Sequence, residues 1–316
     1  MGTDKIKVGV VGVGYLGKIH AQKYARIPEA ELVGVVDIDK ACCREVAAHT
    51  TCRPFYHYRD LMGHVEAVSI AVPTLSHYEI AKDFILAGVD VLLEKPITAT
   101  VQEAQELNAL ARERGAIFQI GHLERFNGAI ASLNGVVTSP LLIESCRLSP
   151  FSGRGTDVDV ILDLMIHDID IILSIVRSEV ERIEAVGMPF YSPLIDVAHA
   201  RILFKGGCVA NISASRIAQE KVRTMVILQK DSYLSVDYIK QSLVITQRGK
   251  EGREGMQVQV DEIVRENDSL ETQLKAFLQS IRERTPPVVS GEDGQRALEV
   301  ALQIADIINK DRKGRG

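Results

Sequence analysis

Hydrophobic positions follow two different rhythms along this chain of 316 residues. Over the first third, short continuous runs of Val, Ile and Leu alternate with longer stretches of helical period. The runs KIKVGVVG (5–12), ELVGVVD (31–37), RPFYH (53–57), EAVSIAV (66–72), DVLLEK (90–95) and AIFQIG (116–121) predict six strands. Continuous rather than alternating apolar character suits strands buried on both faces. Between them, Ser76 with Glu79 and Thr100 with Glu103 have capping-box spacing, and Gly115 marks a helix end. Strands alternating with helices predict a parallel, doubly wound α/β sheet.

Beyond residue 122 the rhythm changes. A helix near 123–133 leads to a strand, LLIESCRL (141–148), and then to a helical run, VDVILDLMIHDIDIILSIV (158–176). Strand-like runs follow one another over 180–188, 197–217 and 222–249 without helices between them, and Gly206–Gly207 has the character of a hairpin turn. Two helices, 269–284 and 291–310, close the chain on either side of Pro286–Pro287. The predicted organisation is a doubly wound domain over 1–121 and an α+β domain over 122–316 with one large, mostly antiparallel sheet.

The helical run 158–176 is apolar except for a set of acids, one histidine and Ser174. At 100° per residue, Asp159, Asp163, His167 and Asp170 fall in one stripe, while Asp157 and Asp168 point elsewhere. Such a stripe is either the solvated face of an amphipathic helix or the floor of an active site.

Composition narrows the choice of class. The net charge of −5 gives no reason to expect nucleic acid as a partner. Five cysteines, an odd number without a CxxC pair, point to free thiols in a reducing, cytoplasmic setting and away from a disulfide framework or a metal site. No uncharged run reaches the ~18 residues of a membrane helix.

Gly12, Gly14 and Gly17 spell GxGxxG directly after the first strand and at the start of a helix, the context in which this pattern marks a Rossmann dinucleotide site. Gly12 permits the tight turn, Gly14 lets a pyrophosphate approach the backbone, and Gly17 lets helix and strand pack closely; Tyr15 and Leu16 lie within the same turn. Asp37 ends the second strand, where a carboxylate binds the adenosine ribose hydroxyls and repels a 2′-phosphate. Ile38 follows it, and Lys40 is the one cation nearby. NAD is therefore expected in preference to NADP. The carboxyl edge of the sheet also receives Pro73, Thr74 and His77 after the fourth strand, and Glu94 and Lys95 after the fifth. Taken singly, His77 is as well explained as an exposed helix-start histidine, and Lys95 as a solvated strand-end lysine.

Six motifs in order, GVVGVGYLGKIH (9–20), VPTLSHYEIA (72–81), LLEKPIT (92–98), GHLERFN (121–127), DLMIHDID (163–170) and VSGEDGQRAL (289–298), resemble the Gfo/Idh/MocA family of glucose-fructose oxidoreductase and inositol dehydrogenase. The resemblance implies a Rossmann domain followed by a domain with an open sheet, and oxidation of a sugar or cyclitol hydroxyl with NAD(P). It also implies a homodimer or homotetramer through that sheet. It assigns Lys95, Asp163 and His167 to the reacting hydroxyl, and leaves open whether Lys95 or His167 is the base. Asp170 is then a supporting group. Met165 stands where many relatives have glycine. DLMIHDID with GHLERFN is similar to the branch that oxidises UDP-N-acetylhexosamines at the 3-hydroxyl. Arg125, Arg147 and Arg154 are the matching candidates for a diphosphate, though each also reads as an ordinary surface arginine. Two other readings stand beside this one: an NAD-dependent glycosidase on the same fold, and a dinucleotide-binding sensor without catalysis.

Overall fold

The computed structural model describes residues 5–151, 158–252 and 255–315. The chain forms two compact units, one made of the residues up to His122 with Leu270–Gln295, the other of Leu123–Ser269 with the chain from Arg296 onward.

In the first unit, β1 (Ile6–Val11), β2 (Ala30–Val36), β3 (Arg53–Phe55), β4 (Ala67–Ile70), β5 (Asp90–Leu93) and β6 (Phe118–Ile120) form a parallel sheet in the order β3-β2-β1-β4-β5-β6. That is the doubly wound Rossmann order, with its switch point between β1 and β4. Helices α1 (Tyr15–Tyr24), α2 (Lys40–Thr50), α3 (His77–Leu86) and α4 (Val101–Arg114) make the crossovers. Thr100 and Glu103 do form a reciprocal capping box, and Gly115 closes α4 in the left-handed region. Ser76 does not cap α3: its backbone is already helical (φ −98°, ψ −4°), because Thr74–Ser76 form a 3-10 turn, and a cap needs an extended residue.

A single division after residue 121, with 122–316 as one domain, does not describe the chain. In the returning segment, Leu274, Phe277 and Leu278 of a later helix join Val8, Val10, Val35 and Leu92 in one apolar core. The same segment bonds to the open edge of the sheet, where Ile120 donates to the Val289 carbonyl, and Arg284 pairs with Asp90 at 2.7 Å. Covering β6 removes an unpaired edge.

The second unit opens with a short helix α5 (Gly128–Ala131) and holds an eight-stranded sheet: β7 (Pro140–Leu148), β8 (Val180–Met188), β9 (Val197–Phe204), β10 (Val209–Ser215), β11 (Val222–Gln229), β12 (Ser232–Asp237), β13 (Ser242–Gly252) and β14 (Gly255–Val264). Their order is β14-β13-β12-β11-β7-β10-β9-β8, antiparallel at every pairing except β7 with β10. Burial alternates along β9 and β10, as it should for a sheet with one covered face. Ile143, Ala200, Ile202, Ile212, Met225 and Ile227 share one core with helix α6 (Ile166–Ile175), whose Ile166, Ile169 and Ile172 are fully buried in it. The chain closes with α7 (Ser269–Glu283) and α8 (Gly291–Arg315), and Ala301, Ile304 and Ile308 of α8 complete this second core. No helix of the described residues is long and apolar enough to cross a membrane.

Candidate active site

The glycine turn after β1 meets its three requirements differently. Gly12 has φ +82°, and a Cβ there would lie 2.6 Å from the Ala71 carbonyl oxygen. A Cβ on Gly17 would lie 1.8 Å from the Gly12 oxygen. At Gly14 a Cβ would meet nothing within 4 Å. Gly12 and Gly17 are thus demanded by the fold, whereas Gly14 is bare toward open space at the start of α1, which no side chain caps. An uncapped helix start beside open space is a seat for a phosphate.

Asp37 follows β2 with both oxygens fixed: Oδ2 accepts from the Val13 N–H at 2.8 Å and Oδ1 from the Asp39 N–H at 2.9 Å. Each oxygen keeps a further lone pair for a ribose hydroxyl. Lys40 stands over the Tyr56 ring, 5.3 Å from its centroid. Around this carboxyl edge Tyr15, Ile38 and Leu75 are 74 %, 95 % and 87 % exposed. Large apolar side chains left bare along the rim suit a flat ligand lying across it. The chain's own residues therefore fit NAD: open space at Gly14, a fixed carboxylate at Asp37 and an apolar rim.

Pro73 is exposed and Thr74 half-buried at the 3-10 turn after β4. His77 is not an exposed histidine. It is 1 % exposed, with Nδ1 2.9 Å from the Pro96 oxygen and Nε2 2.9 Å from the Val72 oxygen. Burial lowers its pKa, against the two carbonyls, which favour the protonated ring. It ties the VPTLSH turn to the EKP turn rather than facing a ligand. Glu94 is likewise buried. Its carboxylate occupies the space that a Cβ on Gly121 would need, and its Oε1 is 3.3 Å from Nε2 of the buried His20. The Lys95 N–H makes a long 3.4 Å bond to Glu94 Oε2, and Lys95 itself is half-buried at the end of β5, followed by a cis peptide to Pro96. Sequence reasoning did not single out His20. Its signal is its place three residues after Gly17, on the covered side of α1.

In the second unit the acidic run is not a uniform helix. Ile161–Met165 form a π-turn, in which the Ile166 N–H reaches back five residues to the Ile161 oxygen. Such turns recur at functional sites. The single stripe also divides. Asp159 caps the segment, accepting from the Ile161 and Leu162 N–H groups at 3.0 and 2.9 Å, and burial raises its pKa. Asp170 is buried, with Arg125 Nε 3.3 Å from its Oδ2. Asp163 and His167 remain half-exposed. In an ordinary helix, residues four apart are offset by ~40°. The wider turn carries less rotation per residue and reduces that offset.

Asp168, directly after His167, anchors the helix. It is 1 % exposed and takes Arg147 Nε at 2.8 Å and Nη2 at 3.0 Å. Arg147 Nη1 bonds Glu124 Oε1 at 2.9 Å, its guanidinium lies over the Tyr238 ring at 5.1 Å, and the Tyr238 hydroxyl donates to Asp168 Oδ1. Burial opposes the charge on Arg147, but the Asp168 and Glu124 carboxylates outweigh it and raise its pKa. Arg147, 1 % exposed, is a structural cation and not a contact for a diphosphate. Arg125 is engaged with Asp170, and Arg154 lies outside the described residues. Lys95 belongs to the first unit, and Asp163 and His167 to the second.

Residues 6–122 match an oxidoreductase family described by its NAD-binding Rossmann fold, and residues 127–234 match the GFO/IDH/MocA C-terminal domain. The chain is 39 % identical over 302 residues to UDP-N-acetylglucosamine 3-dehydrogenase from Acidithiobacillus ferrooxidans, covering 95 % of this chain and 96 % of that protein. It is 25 % identical to myo-inositol 2-dehydrogenase from Thermotoga maritima, over 93 % of each chain. A structure of the Acidithiobacillus enzyme is similar with a TM-score of 0.89 at 37 % identity, covering 96 % of this chain and 98 % of that one. Scyllo-inositol dehydrogenase from Lactobacillus casei with bound NAD(H) and scyllo-inositol is similar in fold, with a TM-score of 0.83 at 23 % identity over 98 % of each chain.

Proposed function

The chain belongs to the Gfo/Idh/MocA family of NAD-binding oxidoreductases, and on that premise we propose that it oxidises the 3-hydroxyl of a UDP-N-acetylhexosamine to a 3-keto sugar, with NADH as co-product. The observation that carries this reading is the near full-length similarity to a UDP-N-acetylglucosamine 3-dehydrogenase. The relatives are named dehydrogenases, so the sensor reading is set aside.

NAD, when bound, takes the hydride from the carbon that bears the hydroxyl. The chain's residues do the rest. The Gly12–Gly17 turn, with Tyr15 and Leu16, receives the pyrophosphate, Asp37 and Ile38 the adenosine ribose, and Pro73 and Thr74 the nicotinamide side. His77 and Glu94 hold the two turns that present Lys95. We assign the hydroxyl proton to Lys95 or His167: one accepts it as the hydride leaves, and the other donates a hydrogen bond to the oxygen as negative charge develops there. Asp163 orients the imidazole or binds a neighbouring hydroxyl.

The same reading takes the protein to be a cytoplasmic homodimer or homotetramer. Its five cysteines are all unpaired, which fits a reducing compartment. The outer face of the sheet, with Val186 and Tyr233 half-exposed, is where a second copy would lie. Light scattering on the purified protein tests the assembly.

The deciding experiment supplies UDP-N-acetylglucosamine and UDP-N-acetylgalactosamine deuterated at C3 and follows transfer of the label to NAD. Label in NADH and a trapped keto sugar are expected. Release of free sugar without net NADH would identify the glycosidase instead. No transfer from either substrate, alongside turnover of a free cyclitol or hexose, would replace the nucleotide sugar with an unphosphorylated polyol.

A further inference from the structure

Arg147 and Arg223 stand directly opposite each other in the β7–β11 ladder. Two like charges at such a pair are destabilising unless something lies between them. Glu124 does: its Oε1 accepts from Arg147 Nη1 at 2.9 Å and from Arg223 Nη1 at 3.1 Å. That one oxygen is shared, and Arg147 commits its remaining bonds to Asp168. Arg223 does not share that burial; its side chain is 31 % exposed. Two residues earlier, just before β11 begins at Val222, lies the exposed Lys221, which makes no ion pair with any described residue. The two cations act on each other. The Arg223 guanidinium, then burial, lowers the pKa of Lys221, while burial, then Arg147, lowers that of Arg223. Charge therefore stays under-compensated on a face where the Asp163 carboxylate also acts on Arg223.

We propose that Lys221 and Arg223 form the seat for the diphosphate of the nucleotide-sugar substrate, on the same face as the helix that carries Asp163 and His167. The inference rests on the nucleotide-sugar reading and names the residues that recognise its anionic part. Arg223 presents a planar fork that can take two phosphate oxygens, and Lys221 adds a mobile point charge beside it. A neutral cyclitol would leave Lys221 without an anion and Arg223 with only its share of Glu124, so the pair is also a specificity device.

The test uses the full-length protein with NAD present. Binding of UDP is measured by calorimetry at several salt concentrations for wild type, Lys221→Gln, Lys221→Arg and Arg223→Gln, together with KM and kcat for UDP-N-acetylglucosamine. Because Arg223 also bonds Glu124, Lys221→Gln is the decisive variant. Without the ammonium and its charge-assisted bond to phosphate, UDP binding should weaken and KM rise by about tenfold, with a smaller change in kcat, a shallower salt dependence, and recovery in Lys221→Arg. If wild type turns over the nucleotide sugar while Lys221→Gln keeps its UDP affinity, KM and salt dependence, the seat is elsewhere and the nucleotide-sugar reading stands. If wild type neither binds UDP nor turns over the nucleotide sugar, that reading fails and takes this inference with it.

Discussion

Asp168 grips the guanidinium of Arg147 with both oxygens, at 2.8 and 3.0 Å, one residue after His167. The pair is buried. It fixes α6 to β7 at the point where the helix presents the imidazole, so a change in the pair moves the site without touching it.

Removing one partner leaves an uncompensated buried charge. Arg147→Met should cost about 3–5 kcal/mol, since the buried Asp168 then loses its cation while Glu124 keeps only Arg223. Asp168→Asn should cost less, because the amide oxygen still accepts one bond. Chemical unfolding of both variants checks the order. An Arg147→Met protein as stable as wild type would show that the network contributes specificity and not stability.

Gly14 and Gly17 should behave oppositely. Alanine at Gly17 would set its Cβ 1.8 Å from backbone oxygen, so Gly17→Ala should fold poorly or not at all. Alanine at Gly14 meets no protein atom within 4 Å, so Gly14→Ala should keep the wild-type melting temperature and lose NAD affinity. Thermal melts with and without NAD separate the two. A Gly14→Ala protein that binds NAD normally would move the pyrophosphate away from this turn.

Much of this architecture is legible in the sequence because its signals are local. Continuous apolar runs mark the parallel strands, and alternation along 197–215 marks the one-sided sheet. Thr100 and Glu103 sit next to the backbone groups they cap. What escapes depends on distant partners. Nothing in SLETQLKAFLQSIRE distinguishes a helix that returns to the first core from one that stays with the second, since either would bury the same stripe. Arg147 reads as a surface arginine until Asp168 and Glu124 are brought to it from 21 and 23 residues away. Ser76 and Glu79 have the right spacing for a cap, but the turn after Pro73 already commits Ser76 to helical angles. The π-turn is invisible to any reading at a fixed 100° per residue.

Asp196 gives a pH dependence of defined sign. It is fully buried and accepts from the N–H groups of Phe190, Tyr191 and Ser192, the Ser192 hydroxyl and Arg216 Nε, all at 2.7–2.8 Å. Burial alone would raise its pKa; these bonds outweigh burial and hold it well below the usual 3.8. The unfolded chain binds the proton first, so the stabilisation is complete above the ordinary carboxylate pKa and is lost as pH falls toward the native one. Asp196→Asn should therefore melt well below wild type at pH 7, and the gap should narrow below about pH 4. A gap independent of pH would mean that the loss is steric.

Cofactor choice should follow Asp37. Its carboxylate suits the two ribose hydroxyls and repels a 2′-phosphate, and Lys40 is engaged over Tyr56. NAD should bind at least several-fold more tightly than NADP, and Asp37→Ala should narrow the difference from both sides. Titration of the apoprotein with each cofactor measures it; equal affinity in wild type would overturn this role for Asp37.

Lys95 and His167 carry the chemistry in the proposed reaction, and their variants should say which is the base. Lys95→Ala and His167→Ala should each keep the fold and bind NAD while losing ~10²–10⁴-fold in turnover, the usual contribution of a positioned acid or base. Melting temperatures check that each variant keeps the fold. The pH–rate profile then discriminates. Removing the base should abolish the acid-side limb of kcat/KM, because that limb records its deprotonation in the free enzyme; removing the hydrogen-bond donor should lower the whole profile and keep its shape. Asp163→Asn should fall between these and wild type, since an amide can still orient the imidazole without supplying charge. If either alanine variant retained more than about a tenth of the wild-type rate on a substrate that wild type turns over, that residue would drop out of the mechanism, and the remaining one would have to serve alone.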